Sequence, residues 1–337
     1  MLVKKLFVNI FIVILALVGV ACSHPDKLSA TNSDESDANH ILPEKVTVTD
    51  GQQDSNDRNG VVEKPTPLSS EKQLEDKKTA KRALIIGIGE QQDKSWVKIN
   101  GDKDVPYVQA MLTRFGYGDI TTLVNKQATK AGIVSAFKKL TAKCAEGDMV
   151  YIHFSGHGQQ VTDVNGDEGA EDTLDESWIP YDAYLKYGKN DKGEKHLIDD
   201  EINVLLTDLR NKVGVEGKIL VVVDACHSGG STRGEDIDEV VRGVNDDFVI
   251  PISKRGAASK TSEKWMTLSA CKDFQLNQEV KNPQVGKLTY ALYSISKEGK
   301  VTEIAVQRFM QQYRARLPQS PVLTGESLGY ELSDFFE

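Results

Sequence analysis

Two short stretches of this sequence carry residue types able to break an acyl bond. One reads Phe154-Ser155-Gly156-His157-Gly158, the other Asp224-Ala225-Cys226-His227-Ser228-Gly229-Gly230. A cysteine is nucleophilic as its thiolate. A neighbouring histidine supplies the base that forms the thiolate and the acid that protonates a leaving amine. His157 and Cys226 fit that division of labour. Gly156 and Gly158 leave the backbone around the imidazole uncovered, so an N–H there and that of Cys226 could cradle an oxyanion. Other readings stand beside this one. A cysteine after an apolar strand is commonly an inert core residue, and a histidine between glycines is commonly a turn residue. His153 and His157, four apart, suggest a zinc pair with Cys226 and His227 only on a helix, whereas Tyr151–Phe154 has the composition of a strand. His227 directly follows Cys226 and points away from it if strand geometry persists, so it is not chosen as the base.

Both stretches follow β-prone apolar runs, Met149–Phe154 and Lys218–Val223. Further runs lie at Ala83–Ile88, Ile120–Val124 and Trp265–Ser269. Between them are helical stripes. Asp104–Phe115 places Val108, Met111, Leu112 and Phe115 on one face, with Gly116 as a stop. Thr129 is an N-cap for a helix carrying Ile133, Phe137 and Leu140. Asp199–Lys212, Leu288–Ser296 and Thr302–Arg316 complete the set. Alternating strands and helices predict an α/β fold, a mainly parallel sheet with helices on both faces. Ligands of such sheets gather beyond the carboxyl ends of the strands. His157 and Cys226 therefore open on one edge, on neighbouring strands. Residues 231–264 lack a clear period and carry Arg233, Arg242, Lys254, Arg255 and Lys260. They read as a long loop dividing one domain, 81–337, into a larger part (81–230) and a smaller part (265–337).

The amino-terminal 80 residues do not belong to that pattern. Lys4 and Lys5 precede an apolar run, Leu6–Ala21, interrupted only by Asn9. As a helix this run reaches roughly 24 Å, short of the ~30 Å hydrocarbon core, so 1–21 reads as an export signal. Gly19-Val20-Ala21-Cys22 resembles a bacterial lipobox, which makes Cys22 a lipidated mature terminus; ordinary signal cleavage is the alternative. Residues 22–80 contain no Phe, Trp or Tyr. They cannot bury enough surface to offset the entropy of ordering, and a coil of this length spans roughly 40–50 Å. The expected localisation is thus exported and anchored to a bacterial membrane, on the periplasmic side or the cell surface, with 22–80 as a disordered tether. The 337-residue chain has a net charge of −9 with 39% hydrophobic and 27% charged residues, which suits a soluble domain and argues against a nucleic-acid partner. Removing 1–21, with Lys4 and Lys5 and no acid, takes the charge from −9 to −11. Four cysteines are too few for a disulfide scaffold of this size. Cys144 and Cys271 are expected to be unpaired core residues.

The two motifs resemble the histidine and cysteine boxes of the metacaspases, caspase-like cysteine peptidases. The resemblance runs over about 81–337. Residues 82–88 match the opening strand, Asp104 stands at an acidic family position, Ser269-Ala270-Cys271-Lys272-Asp273 resembles the start of the small subunit, and Gly286–Leu292 its next helix. The resemblance implies a caspase-like fold, His157 as general acid/base, Cys226 as nucleophile, and the Gly158 and Cys226 amides as the oxyanion hole. It implies proteins or peptides with Arg or Lys at P1 as substrates, since Asp104 and Asp224, with Ser155 as a weaker candidate, would line the pocket and two carboxylates favour a cation. The acidic loop Asp163–Glu176 has the oxygen-rich chemistry of a calcium site without EF-hand spacing. The resemblance makes Asp172, Asp199 and Asp200 its ligands; a solvated acidic loop is the alternative. No other cofactor is required, and the protein is expected to be monomeric. Basic residues of the 231–264 loop are candidate self-cleavage sites, Lys254 and Arg255 foremost. The competing functions are a catalytically silent caspase-like surface binding module, or another caspase-clan peptidase of gingipain or legumain type with a different P1 preference.

Overall fold

The computed structural model describes residues 79–337 apart from 168–172, 227–239, 245, 253–262, 274, 314–317 and 326–327. Cys22, Asp172, His227, Lys254 and Arg255 therefore lie outside the described residues, as do the signal and nearly all of the tether. The order is β1 (Lys81–Gly87), α1 (Gly101–Arg114), β2 (Asp119–Val124), α2 (Lys130–Lys143), β3 (Met149–Ser155), β4 (Gly158–Thr162), β5 (Leu174–Trp178), β6 (Leu197–Ile198), α3 (Asp199–Val213), β7 (Lys218–Asp224), β8 (Met266–Ser269), β9 (Glu279–Val280), β10 (Val285–Gly286), α4 (Lys287–Glu298), α5 (Glu303–Gln312) and β11 (Val322–Thr324).

Six strands form the main sheet in the order β11-β8-β7-β3-β1-β2. The five predicted from sequence pair parallel, and β11 joins antiparallel at the edge. The continuous apolar runs are the signature of strands covered on both sides, and alternate residues sort into two cores. Ala83, Ile85, Tyr151, Leu220 and Val222 pack under α1, α4 and α5 through Val108, Met111, Leu292 and Met310. Leu84, Ile86, Ile152, Val221 and Val223 pack under α2 and α3 through Phe137, Leu140, Leu205 and Leu209. The fold is the expected α/β, three layers deep.

Local signals behave as read. Thr129 accepts the Gly132 N–H at 3.1 Å and starts α2. Gly116, at φ +80°, ends α1, with the Tyr117 N–H returning to the Leu112 carbonyl. Over 158–198 the structure builds a small antiparallel sheet, β4-β5-β6, so Leu174–Glu176, read from the sequence as the end of the acidic loop, belong to a strand.

Candidate active site

The register between β3 and β7 positions the two motifs. Ser155 lies opposite Asp224, so His157 and Cys226 each stand two residues beyond a matched pair at the carboxyl edge. Both are buried, His157 at 0% and Cys226 at 2% exposure. The imidazole Nε2 donates to the Val97 carbonyl at 2.7 Å. Its Nδ1 has no hydrogen-bond partner among the described residues. Trp96 leans on the ring, centroids 5.1 Å apart, and is itself fixed by its indole N–H on the Ala183 carbonyl. A carbonyl on Nε2 leaves the Nδ1 lone pair as the proton acceptor. Burial lowers the imidazole to about 4, and the Arg242 charge pushes the same way, so His157 is neutral at pH 7.

The Cys226 thiol donates to the Gln275 carbonyl at 2.9 Å. Cys271 lies beside it; the contact with the Cys226 sulfur, together with burial, pushes the Cys271 thiol up. All three described cysteines are free thiols. At Gly158, antiparallel pairing makes His157 and Ile179 the hydrogen-bonded pair, since the Ile179 N–H donates to the His157 carbonyl. Gly158 with Trp178 is then the alternate, non-bonded pair, and the Gly158 N–H turns away from β5. His153 faces another environment, its Nε2 against Thr289 Oγ1 at 3.2 Å and its Nδ1 against the Tyr151 hydroxyl at 3.4 Å. It shares no site with His157.

Asp104, Asp224 and Ser155 do come together, around a cation of the chain itself. Arg242 Nη1 reaches Asp104 Oδ2 at 2.6 Å, Ser155 Oγ at 2.6 Å and Asp224 Oδ1 at 3.3 Å. Its Nε reaches Glu279 Oε1 at 3.0 Å. Asp104 is in the first turn of α1 and also bonds Ser155; its Oδ1 accepts the Gly286 N–H at 2.9 Å. Asp224 accepts from Asn277 Nδ2 at 2.8 Å and from the Thr289 N–H and hydroxyl at 2.8 and 2.6 Å. Burial raises Asp104, helped by the Asp224 charge. For Asp224 burial is outweighed by the Arg242 guanidinium and these donors, which hold it below the ordinary carboxylate range.

The acidic loop forms a second cluster. Asp163, Asp167 and Asp175 offer oxygens within 4.8 Å of one another. Burial raises Asp175 to about 8, and the charges of Asp199, Asp163, Asp200 and Asp167 add to it. Burial and Asp167 raise Asp200 to about 6. Of the expected calcium ligands, Asp199 and Asp200 thus adjoin the cluster, while Asp163, Asp167 and Asp175 form its centre. Buried Oδ1 atoms of Asp175 and Asp167 have no hydrogen-bond partner among the described residues. An all-oxygen set with orphaned acceptors fits a hard divalent cation.

Sequence reasoning missed Val97, Trp96, Gln275, Asn277 and Glu279. Val97 and Gln275 act through backbone carbonyls, which carry no side-chain signal. Glu279 is the acid of an Asn-Gln-Glu run whose meaning depends on the 231–264 loop closing over it.

A family model described as the metacaspase, peptidase C14 domain matches residues 81–233. The chain is 32% identical over 157 residues to Metacaspase-2 of Arabidopsis thaliana, covering 44% of this chain and 34% of that protein. It is 34% identical over 161 residues to Metacaspase-1B of Aspergillus fumigatus, covering 44% and 35%. It thus spans about a third of the length of these curated relatives. Among solved structures, protein GSU0716 of Geobacter sulfurreducens has the same fold, with a TM-score of 0.53, 24% identity, and coverage of 72% of this chain and 92% of that one.

Proposed function

We propose that this chain, whose residues 81–233 match the metacaspase, peptidase C14 domain model, is a cysteine endopeptidase cutting after Arg or Lys. The observation that carries the reading is the convergence of His157, Cys226 and a carboxylate pocket on adjacent strand ends. His157, neutral and fixed by Val97, takes the Cys226 proton. The thiolate adds to the P1 carbonyl, and the Cys226 and Gly158 amides receive the oxyanion. The histidine then protonates the leaving amine, and water releases the acyl-enzyme. Asp104 and Asp224, with Ser155 and Glu279, hold the P1 cation, as they hold a guanidinium in this structure.

Three further parts belong to the same proposal. Calcium, held by Asp163, Asp167 and Asp175 with Asp199 and Asp200 adjacent, would neutralise the acidic loop. Self-processing occurs in the basic 231–264 loop. Cys22 anchors an exported, monomeric protein by lipid. Among the described residues no helix is long and apolar enough to cross a membrane.

Fluorogenic peptides with Arg, Lys or Asp at P1, offered to the full chain with and without calcium, test the reading. Hydrolysis of Arg and Lys peptides that disappears in Cys226→Ala is the expected result. Cleavage of the Asp peptide alone, or activity surviving Cys226→Ala, overturns it.

A further inference from the structure

His153 and Tyr151, two apart on β3, are buried on the face of the sheet that meets α1 and α4. The two ring nitrogens of His153 each meet a hydroxyl, Nδ1 that of Tyr151 at 3.4 Å and Nε2 that of Thr289 at 3.2 Å. Which nitrogen carries the proton follows from where the hydroxyl protons must go. Thr289 has one. Its Oγ1 stands 2.6 Å from Asp224 Oδ2, but 3.2 Å from both Asp104 Oδ2 and His153 Nε2. Two oxygens at 2.6 Å need a proton between them, so the Thr289 hydroxyl donates to the Asp224 carboxylate. His153 Nε2 then meets the Thr289 oxygen only as an N–H donor. A neutral imidazole protonated on Nε2 has a bare Nδ1, the acceptor that the Tyr151 hydroxyl needs; that hydroxyl has no other hydrogen-bond partner among the described residues. The opposite tautomer would leave the buried Tyr151 proton without an acceptor and set the lone pairs of Nε2 and Oγ1 against each other. Asp224 divides its oxygens to match. Oδ2 takes the Thr289 hydroxyl and, at 2.8 Å, the Thr289 N–H. Oδ1 takes Asn277 Nδ2 at 2.8 Å and faces the pocket's guanidinium at 3.3 Å.

We propose that Tyr151, His153 and Thr289 form a one-way hydrogen-bond relay that ends on Asp224, and that His153 is a positioning residue for recognition of the P1 side chain. The Tyr151 hydroxyl donates to His153 Nδ1, His153 Nε2–H to Thr289 Oγ1, and the Thr289 hydroxyl to Asp224 Oδ2. The inference rests on the reading of Asp104, Asp224 and Ser155 as the P1 pocket of a cysteine peptidase. Each donor in such a chain strengthens the next, so the relay pins Oδ2 and aims Oδ1 at the cation. Tyr151 sets the tautomer, and the tautomer keeps His153 from taking the Thr289 proton that Asp224 needs. The two basic side chains feel this differently. A guanidinium bonds along fixed directions, whereas an ammonium on a flexible stem is close to a point charge. An Asp224 carboxylate free to swing therefore costs an Arg substrate more than a Lys substrate, and the relay favours Arg at P1.

Two measurements on the full chain test the relay. With histidine labelled in nitrogen-15, two-bond nitrogen–proton correlation at pH 7 reads the tautomer of each ring, and the His153 ring is the one whose signals vanish in His153→Gln. A neutral ring protonated on Nε2 is expected; a proton on Nδ1, or an imidazolium, overturns the relay. The second measurement is the ratio of kcat/KM for an acyl-Arg-aminocoumarin to that for its acyl-Lys counterpart. Loss of folded enzyme, or competition from Arg242 for the pocket, scales both values alike and leaves the ratio unmoved. Tyr151→Phe and His153→Phe are each expected to lower the Arg:Lys ratio about fivefold. His153→Gln, whose amide keeps an N–H for Thr289, is expected to stay closer to wild type than His153→Phe. Where His153→Phe fails to fold, Tyr151→Phe, which removes a single oxygen, decides. A ratio unchanged in Tyr151→Phe overturns the relay and leaves the peptidase reading standing. Wild type that hydrolyses neither peptide overturns the peptidase reading, and the P1 role of His153 with it, whichever tautomer is found.

Discussion

Asp104, Asp224 and Glu279 surround one guanidinium, whereas Asp163, Asp167 and Asp175 surround one another. Both groups are largely withdrawn from water, so burial raises the cost of every negative charge in them. In the first, a fixed cation and donors from Thr289, Asn277 and Gly286 offset that cost, and Asp224 stays ionised. In the second, like charges add to burial and raise Asp175 to about 8. The contrast separates a pocket that already contains its cation from a loop in which carboxylates crowd together. It also explains why the same residue type has different prospects in the two places. An acid of the first group is a partner whose loss strands a buried charge; an acid of the second stands against its own neighbours.

The largest expected effect breaks the first group. Asp224→Ala strands the Asn277 and Thr289 donors and leaves Arg242 undercompensated, and a loss of about 3–5 kcal/mol in urea unfolding is expected. An effect below 1 kcal/mol would show that the guanidinium is not held by this carboxylate.

Next comes a titration beside the same pocket. Burial chiefly, and Arg242 in addition, lower His153 to about 4, the Asp224 charge opposing them. The unfolded chain takes this proton near 6.5, so native stability attributable to His153 is complete above pH 6.5 and is lost as pH falls toward 4. Relative to His153→Gln, wild type is expected to lose up to about 3 kcal/mol across that window. Parallel stability curves for the two proteins would contradict the assignment.

The smallest effect sharpens the second group. Calcium at about 100 times its dissociation constant should stabilise wild type by about 2.7 kcal/mol, and Asp175→Asn should abolish most of that gain. Without calcium the sign reverses. The Asp175 carboxyl ionises near 4 when unfolded but near 8 when folded, so wild type loses stability relative to Asp175→Asn as pH rises between those values. Thermal unfolding with and without chelator reads both arms, and a variant that keeps the full calcium response removes Asp175 from the site.

Much of this was legible beforehand because it is written in local pattern. The five parallel strands declare themselves as apolar runs, Thr129 and Gly116 as cap and stop, and His157 and Cys226 as two motifs at strand ends. Asp104, Asp224 and Ser155, which the sequence marks as candidates for holding a cation, meet around Arg242 in the structure. What the sequence withheld depends on chain closure over distance. The strand pair Gly158–Thr162 and Leu174–Trp178 is rich in polar residues and short, so no period marks it. The three-residue β11 earns its place only by meeting β8. Arg242 is one of six basic residues in an irregular loop, and nothing local distinguishes it. Its burial follows from Asn277 and Glu279, which lie on the far side of β8.

The parallel ladder from Leu220–Met266 to Val223–Ser269 has a further consequence. The 231–264 loop is the covalent link between β7 and β8, but it is not what holds them side by side. Four consecutive register pairs and two shared cores do that. A cut anywhere in that loop would therefore turn one polypeptide into two that remain a single folded body, each supplying strands the other needs. Such a molecule would run as two bands in denaturant and as one species in native buffer.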